Sequence, residues 1–339
     1  MKNTTRVLYS LLLSRIATAY DASDVTKKFS VSTPMETKLN DAVQMSSSFL
    51  QMITMTGVDD SKGQALNLEV AAMLAKRTDV SAGARQPNMY GGPDGTQYET
   101  KLTEFDVGID YTILDQFARF KDFAQRYMVA VFRAIALSRI SVGWNGTSAS
   151  AVTSSGSNPL GQDVNVGWLE LIKTTAGANF MDDAGGGVVR IHESVTGGLG
   201  YKSVDGAVAD LYSSIAIEHR TGNEVAIIGS DILAMDSNKV YNDHGTTPTE
   251  KNEIKTMLNT HGGLPTLQVP KFPTKGIFVG DPMHLHLYYQ EGKTRRHTEE
   301  ESNRNRVVDY ISSNDAYAIG NIKGVAAVDH TKVVLTAAA

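Results

Sequence analysis

The sequence predicts an α+β fold, and three observations carry the prediction. Residues 112–142 hold one helical stripe far longer than the usual globular helix. Apolar and polar residues alternate in the flanking segments: Leu66, Leu68 and Val70 before it, and Phe105, Val107, Ile109 and Tyr111 on its approach. Residues 179–283 then alternate strand-like with helix-like runs, and a set of β segments follows between His284 and Asp329.

The chain opens with Val7, Leu8, Leu11, Leu12 and Ile16 at helical spacing. Lys2 and Arg6 precede this run and Ala17-Thr18-Ala19 follow it, as in a leader peptide. Arg15 interrupts the run too early for one, so the spacing predicts an amphipathic helix. A second helix is predicted over Thr33 to Met52, and together these make an arm with little core of its own. Asp79 to Gly95, rich in Gly and Pro, leaves one strand and returns to another. A loop of that length is either an arm reaching over a neighbour or a floppy surface loop.

The long helix carries Ile113, Phe117, Phe120, Ala124, Tyr127, Val131 and Ile135 on one face, with Asp115–Arg119 and Asp122–Arg126 spaced to pair on the other. Thr112 and Asp115 have the form of a capping box and Gly143 supplies a stop. Unbroken, the helix would run about 45 Å. A Ser/Gly-rich connector, Trp144 to Pro159, leads to helices predicted over Val166 to Thr175, Asp205 to Ile217, Ser230 to Met235 and Lys251 to Leu258. Strands are predicted at Val188 to His192, Glu224 to Ile228, Leu267 to Val269 and Gly276 to Val279.

Composition narrows the function classes. With 41% hydrophobic and 20% charged residues, the 339-residue chain can bury a core. Its net charge of −5 carries no footprint of sequence-specific nucleic-acid binding. It has no cysteine, hence no disulfide or thiolate metal site, and no run of 18 apolar residues. Phosphate-loop, dinucleotide, nucleophile-elbow and zinc-protease signatures are absent, and Gly197-Gly198-Leu199-Gly200 does not fit the dinucleotide spacing. His284 and His286 would share one side of a strand, but no third ligand is evident, so two half-buried histidines is the simpler reading. No catalytic, cofactor-binding or metal-binding constellation emerges.

One charge pattern stands out: Lys293, Arg295 and Arg296, then Glu299, Glu300 and Glu301, then Arg304 and Arg306. Such a run is most often a solvated hairpin tip. Its plus–minus–plus blocks also suit a tip that meets copies of itself about a symmetry axis, one subunit's arginines facing the next one's glutamates. These eight residues are the candidate inter-subunit contacts.

Three long phrases, LSRIATAYDASDVTKKFSV, GWNGTSASAVTSSGSNPLGQDVNVGWLE and HLHLYYQEGKTRRH, resemble the major capsid proteins of tailed bacteriophages of the peduovirus type. The resemblance spans nearly the whole chain. It implies the Hong Kong 97-like capsid fold: an N-arm over 1–50, an extended loop over 51–108, a peripheral domain from 109–178 and 284–335 with the spine helix 112–142, and an axial domain over 179–283. It further implies self-assembly into pentamers and hexamers of an icosahedral shell around double-stranded DNA, with no enzymatic activity. An internal scaffold with protease activity and a portal would be partners, no membrane would be involved, and assembly would take place in the host bacterial cytoplasm. Loss of about the first 30 residues, with a cut between Lys27 and Ser32, belongs to the same expectation. An encapsulin-like nanocompartment shell would share the fold, and a cytosolic α+β enzyme is the remaining alternative.

Overall fold

In the computed structural model, the described residues are 2–65, 96–117, 122–182, 188–192, 199–244 and 259–335, with isolated positions 75, 77, 78, 81, 84 and 120. The Asp79 to Gly95 loop, the Leu66 to Val70 strand and the Lys251 to Leu258 helix predicted above lie almost wholly outside them. The chain divides into two compact units. One comprises 1–63, 98–167 and 286–317, the other 64–97, 168–285 and 318–339.

The first unit is built on a seven-stranded sheet whose longest member is Arg306–Ile319. Arg295–Glu301 pairs with it antiparallel, Arg296 opposite Ile311 and Glu301 opposite Arg306. Phe29–Ser30 covers the outer edge of that pair. Lys101–Glu104 and Val107–Asp110 also pair with the long strand, and Leu285–Gln290 runs beside it, flanked by Thr54–Val58 in parallel. Residues 306–313 and 316–321 read in sequence as two β segments, and here 306–319 form one strand. Asn314 and Asp315 look like a turn in sequence, yet Asp315 is 1% exposed and paired with an arginine, so the chain stays extended. Phe105 to Tyr111 also differs from expectation, because Tyr111 opens a helix.

Against this sheet lies Phe123–Asn145. Its length and apolar composition would suit a membrane span, contrary to the simple count of apolar residues. Its face of Tyr127, Val131, Ile135, Arg139 and Ile140 is instead buried in the unit's core. The expected single helix over 112–142 is broken. Tyr111–Phe117 forms a short helix, and a fresh one begins after Asp122, whose carbonyl receives the amides of Gln125 and Arg126. The break leaves Ile113 and Phe120 exposed and buries Leu114 instead. Asp122 and Arg126 pair at 2.8 Å as expected. Asp115 accepts the Lys2 backbone amide at 3.1 Å, which anchors the start of the first helix, Asn3–Tyr20. That helix buries Thr5, Tyr9, Leu12, Ile16 and Tyr20, while Val7 and Leu11 of the predicted stripe face outward.

Gly143 does not stop the long helix, which continues to Asn145. The connector returns so close beneath its end that a Cβ on Gly167 would sit 2.4 Å from the Gly143 carbonyl oxygen. Here glycine is needed for backbone approach. Thr33–Met45 and Ser48–Met52 replace the predicted single helix, burying Leu39, Val43, Phe49 and Leu50.

The second unit has a mixed six-stranded sheet, ordered Thr260–His261, Leu264–Leu267, Val225–Ile228, Ile277–Gly280, Val325–Val328 and Phe180–Met181. A parallel three-stranded sheet, Val333–Leu335, Val189–Ile191 and Gly200–Tyr201, shares its core. Helix Val204–Ser214 begins at Ser203, whose hydroxyl accepts the Gly206 amide, and sends Val204, Ala207, Val208 and Leu211 into that core. The helix predicted over Ser230 to Met235 extends to His244. Trp168–Thr175 packs on Val325–Val328, and the units change over at 167/168, 285/286 and 317/318. The expected peripheral and axial spans meet at 178/179 and 283/284, so the first junction differs by about eleven residues and the second by two.

Candidate functional site

The charged run is not a tip. Glu291 to Thr294 is a turn, with Gly292 at φ +70°, Arg295–Glu301 is a strand, and the reversal proper is Ser302 to Asn305, with Asn305 left-handed at φ +53°. Period two decides the fate of each charge: Arg296 and Thr298 point inward, Arg295 and Glu299 outward.

Arg296 is 1% exposed and belongs to the core, which corrects its expected place on an inter-subunit surface. Its Nε donates to Asp309 Oδ1 at 3.0 Å and its Nη2 to Oδ2, while Nη1 donates to the Tyr20 hydroxyl at 2.9 Å. Asp309, fully buried, also accepts from Thr298 and from the Tyr127 hydroxyl, each at 3.2 Å. One ion pair thus joins two strands to the first helix and the long helix. Burial alone would lower the Arg296 pKa, but the Asp309 carboxylate more than reverses this and raises it. Burial raises the pKa of Tyr20 and of Tyr127, and Asp309 adds to the rise at Tyr127.

The acidic block is also held within the subunit. Glu300 accepts from the Tyr111 hydroxyl at 2.7 Å and lies 3.6 Å from Arg6. Glu301 takes Arg306 Nε at 2.6 Å, the Tyr310 hydroxyl at 3.2 Å and Arg304 at 3.9 Å. The Arg306 hydrogen bond holds the Glu301 carboxyl below the usual range. Lys293, Arg295, Glu299 and Arg304 stay exposed. The turn that carries Lys293 is gripped from inside. Fully buried Glu36 accepts the backbone amides of Gly292 at 2.6 Å and Thr294 at 3.0 Å, as well as the Thr294 hydroxyl.

Sequence reasoning missed Arg139, Asp309, Asp315, Glu36 and Tyr20, the polar groups that organise this surface from beneath. A signal existed: Arg139 continues the buried stripe Tyr127, Val131, Ile135 at four-residue steps, and a charge on an apolar stripe implies a buried partner. The two histidines singled out above part company. His284 sits in the turn Pro282–His284, and His286 on the strand Leu285–Gln290 meets the Tyr288 hydroxyl at 2.7 Å.

A family model described as the phage major capsid protein, P2 family, matches residues 8–331. The chain belongs to that family. It is 30% identical to the capsid proteins of Escherichia phage P2 over 98% of its own length and 96% of theirs. It is 31% identical to the major capsid protein of Serratia phage KSP20, covering 97% of each. Among solved structures, a chain of the satellite phage P4 procapsid including the size determination (Sid) protein superposes with a TM-score of 0.77 at 29% identity, with 99% of both chains covered. The α+β architecture described above is therefore the Hong Kong 97-like capsid fold, and the protein is the major capsid protein of a tailed phage.

Proposed function

We propose that copies of this P2-family capsid protein assemble into pentamers and hexamers of an icosahedral shell enclosing double-stranded DNA. The observation that carries the proposal is the match over residues 8–331, supported by the end-to-end superposition on a procapsid subunit. The work is mechanical, with no catalytic residue assigned. Each subunit offers a modest interface, and closure over many copies makes the whole stable.

In this reading residues 109–178 and 284–335 form the peripheral domain and residues 179–283 the axial domain. Assembly proceeds in the host cytoplasm on an internal scaffold with protease activity, around a portal. Contact between neighbours runs through the outward charges Lys293, Arg295, Glu299 and Arg304, with Glu300, Glu301 and Arg306 shaping the surface through their internal pairs. Exposed pairs contribute about 0–1 kcal/mol each, so this rim sets register more than strength. The DNA needs no specific grip from a subunit of net charge −5.

Negative-stain electron microscopy of the purified chain, alone and with its scaffold, tests the proposal. Closed shells or five- and six-membered rings are expected. A discrete small particle under every condition would overturn it.

A further inference from the structure

Deep in the second unit, His192, Asp236 and His261 come together from three elements. His192 follows the strand Val189–Ile191, Asp236 lies on helix Ser230–His244, and His261 ends the strand Thr260–His261. The Nε2 atoms of both rings face the same carboxylate, His261 at 3.4 Å from Oδ2 and His192 at 3.8 Å from Oδ1. The two rings are otherwise held differently. His261 Nδ1 meets the Thr266 hydroxyl at 2.6 Å, so that ring is fixed at both nitrogens. The His192 side chain is 1% exposed, and neither of its nitrogens makes a well-formed hydrogen bond. Its backbone sits at φ +70°, an uncommon conformation for a residue with a Cβ.

A buried ring whose hydrogen bonds are poorly formed costs less when neutral than when charged. The charged and titratable groups around it, among the described residues, are few. Asp236 and Lys239 face it from helix Ser230–His244, and the Lys202 backbone approaches it. His261 lies across Asp236, and Asp205 holds the next residue, Gly262, through its backbone amide at 2.9 Å. Burial lowers the His192 pKa and Lys239 adds to this, and the attraction of Asp236 together with a weak hydrogen bond to the Lys202 backbone does not make up the difference. At 3.8 Å that carboxylate stands outside hydrogen-bond reach of His192, and it already faces His261.

We propose that His192, Asp236 and His261 form an acid-operated latch, in which uptake of one proton by the His192 ring frees the end of strand Val189–Ile191 from helix Ser230–His244 and from the hairpin at 260–267. The open form exposes the ring to water and binds the proton at the ordinary histidine pKa of about 6.5. The closed form binds it only at lower pH. Closure is therefore fully stable above about pH 6.5 and weakens as the pH falls below it.

Hydrogen exchange of the full chain, read by mass spectrometry at pH 7.5 and 5.5 and corrected for intrinsic rates, tests the latch. Peptides covering 188–192, 230–244 and 259–267 should open up to about tenfold more at pH 5.5 in the wild type. His192→Gln should abolish that rise, and His261→Gln should keep it. A flat wild-type profile, or the same rise in His192→Gln, overturns the proposal. Deuterium uptake at the imidazole Cε1 of His192 in the wild type gives a reading independent of any variant's folding. A midpoint below 6.5 supports the latch, and one at or above 6.5 overturns it.

Discussion

Arg139 and Asp315 form a two-point ion pair in which Nε meets Oδ2 at 2.8 Å and Nη2 meets Oδ1 at 3.1 Å, with both side chains almost wholly removed from water. Asn40 accepts from Nη1 at 2.8 Å, Ser313 donates to Asp315 at 2.7 Å, and the Tyr317 hydroxyl donates to the Arg139 carbonyl at 2.9 Å. With Arg296–Asp309, it is one of two buried pairs along the strand Arg306–Ile319. Each reaches the long helix, through Arg139 in one case and Tyr127 in the other.

Arg139→Met should strand a buried carboxylate and cost about 3–5 kcal/mol. The double variant Arg139→Met with Asp315→Leu should recover much of that loss, because both charges are gone. Denaturant titration of the four species in one cycle reads the coupling directly. Additive losses would show that the pair is not a unit.

Arg295→Glu and Arg296→Glu, adjacent in sequence, should behave as opposites. The first alters an exposed charge, so the melting temperature should stay within about a degree or two while shell yield falls. The second sets two carboxylates against each other in the core, and the protein should unfold or precipitate. Circular dichroism and electron microscopy on both variants check this. Normal shells from Arg295→Glu would remove that residue from the interface.

Glu36→Ala should leave the Gly292 and Thr294 amides without their acceptor, at a cost of about 1–3 kcal/mol. The readout is local: hydrogen exchange should quicken at 291–295 before the rest of the sheet responds.

Glu301 and Asp115 bear on acid stability. Arg306 lowers the Glu301 pKa, and the Thr5 side chain followed by the Lys2 amide lowers that of Asp115. Their folded values lie below the unfolded ones. Both contributions are therefore present above about pH 4, the ordinary carboxyl range, and are lost as the pH falls through the folded values. Thermal melts between pH 7 and pH 3 should show the decline, and Glu301→Gln should flatten part of it.

Gly167→Ala tests the close return of the connector. A methyl group 2.4 Å from the Gly143 carbonyl must push the backbone apart, so a lower melting temperature is expected even though alanine is otherwise benign.

The patterns legible in sequence were those that local chemistry dictates. The buried stripe from Ala124 to Ile135, the helices at 168–175 and 204–214 and the strands at 225–228 and 277–280 all follow from the spacing of apolar residues. The long phrases around Leu13, Gly143 and His284 were specific enough to indicate the capsid family. Tertiary structure alone decided which charges are interior. Arg295 and Arg296 are adjacent and of one chemical type, yet the pleat places one in water and the other against Asp309. Asn314 and Asp315 resemble a turn until Arg139 supplies the buried partner that lets the strand continue. A charge is written in sequence the same way whether it faces solvent or a partner far along the chain. Only the fold brings Arg139 within 2.8 Å of Asp315, and with that distance the cost of burial is met.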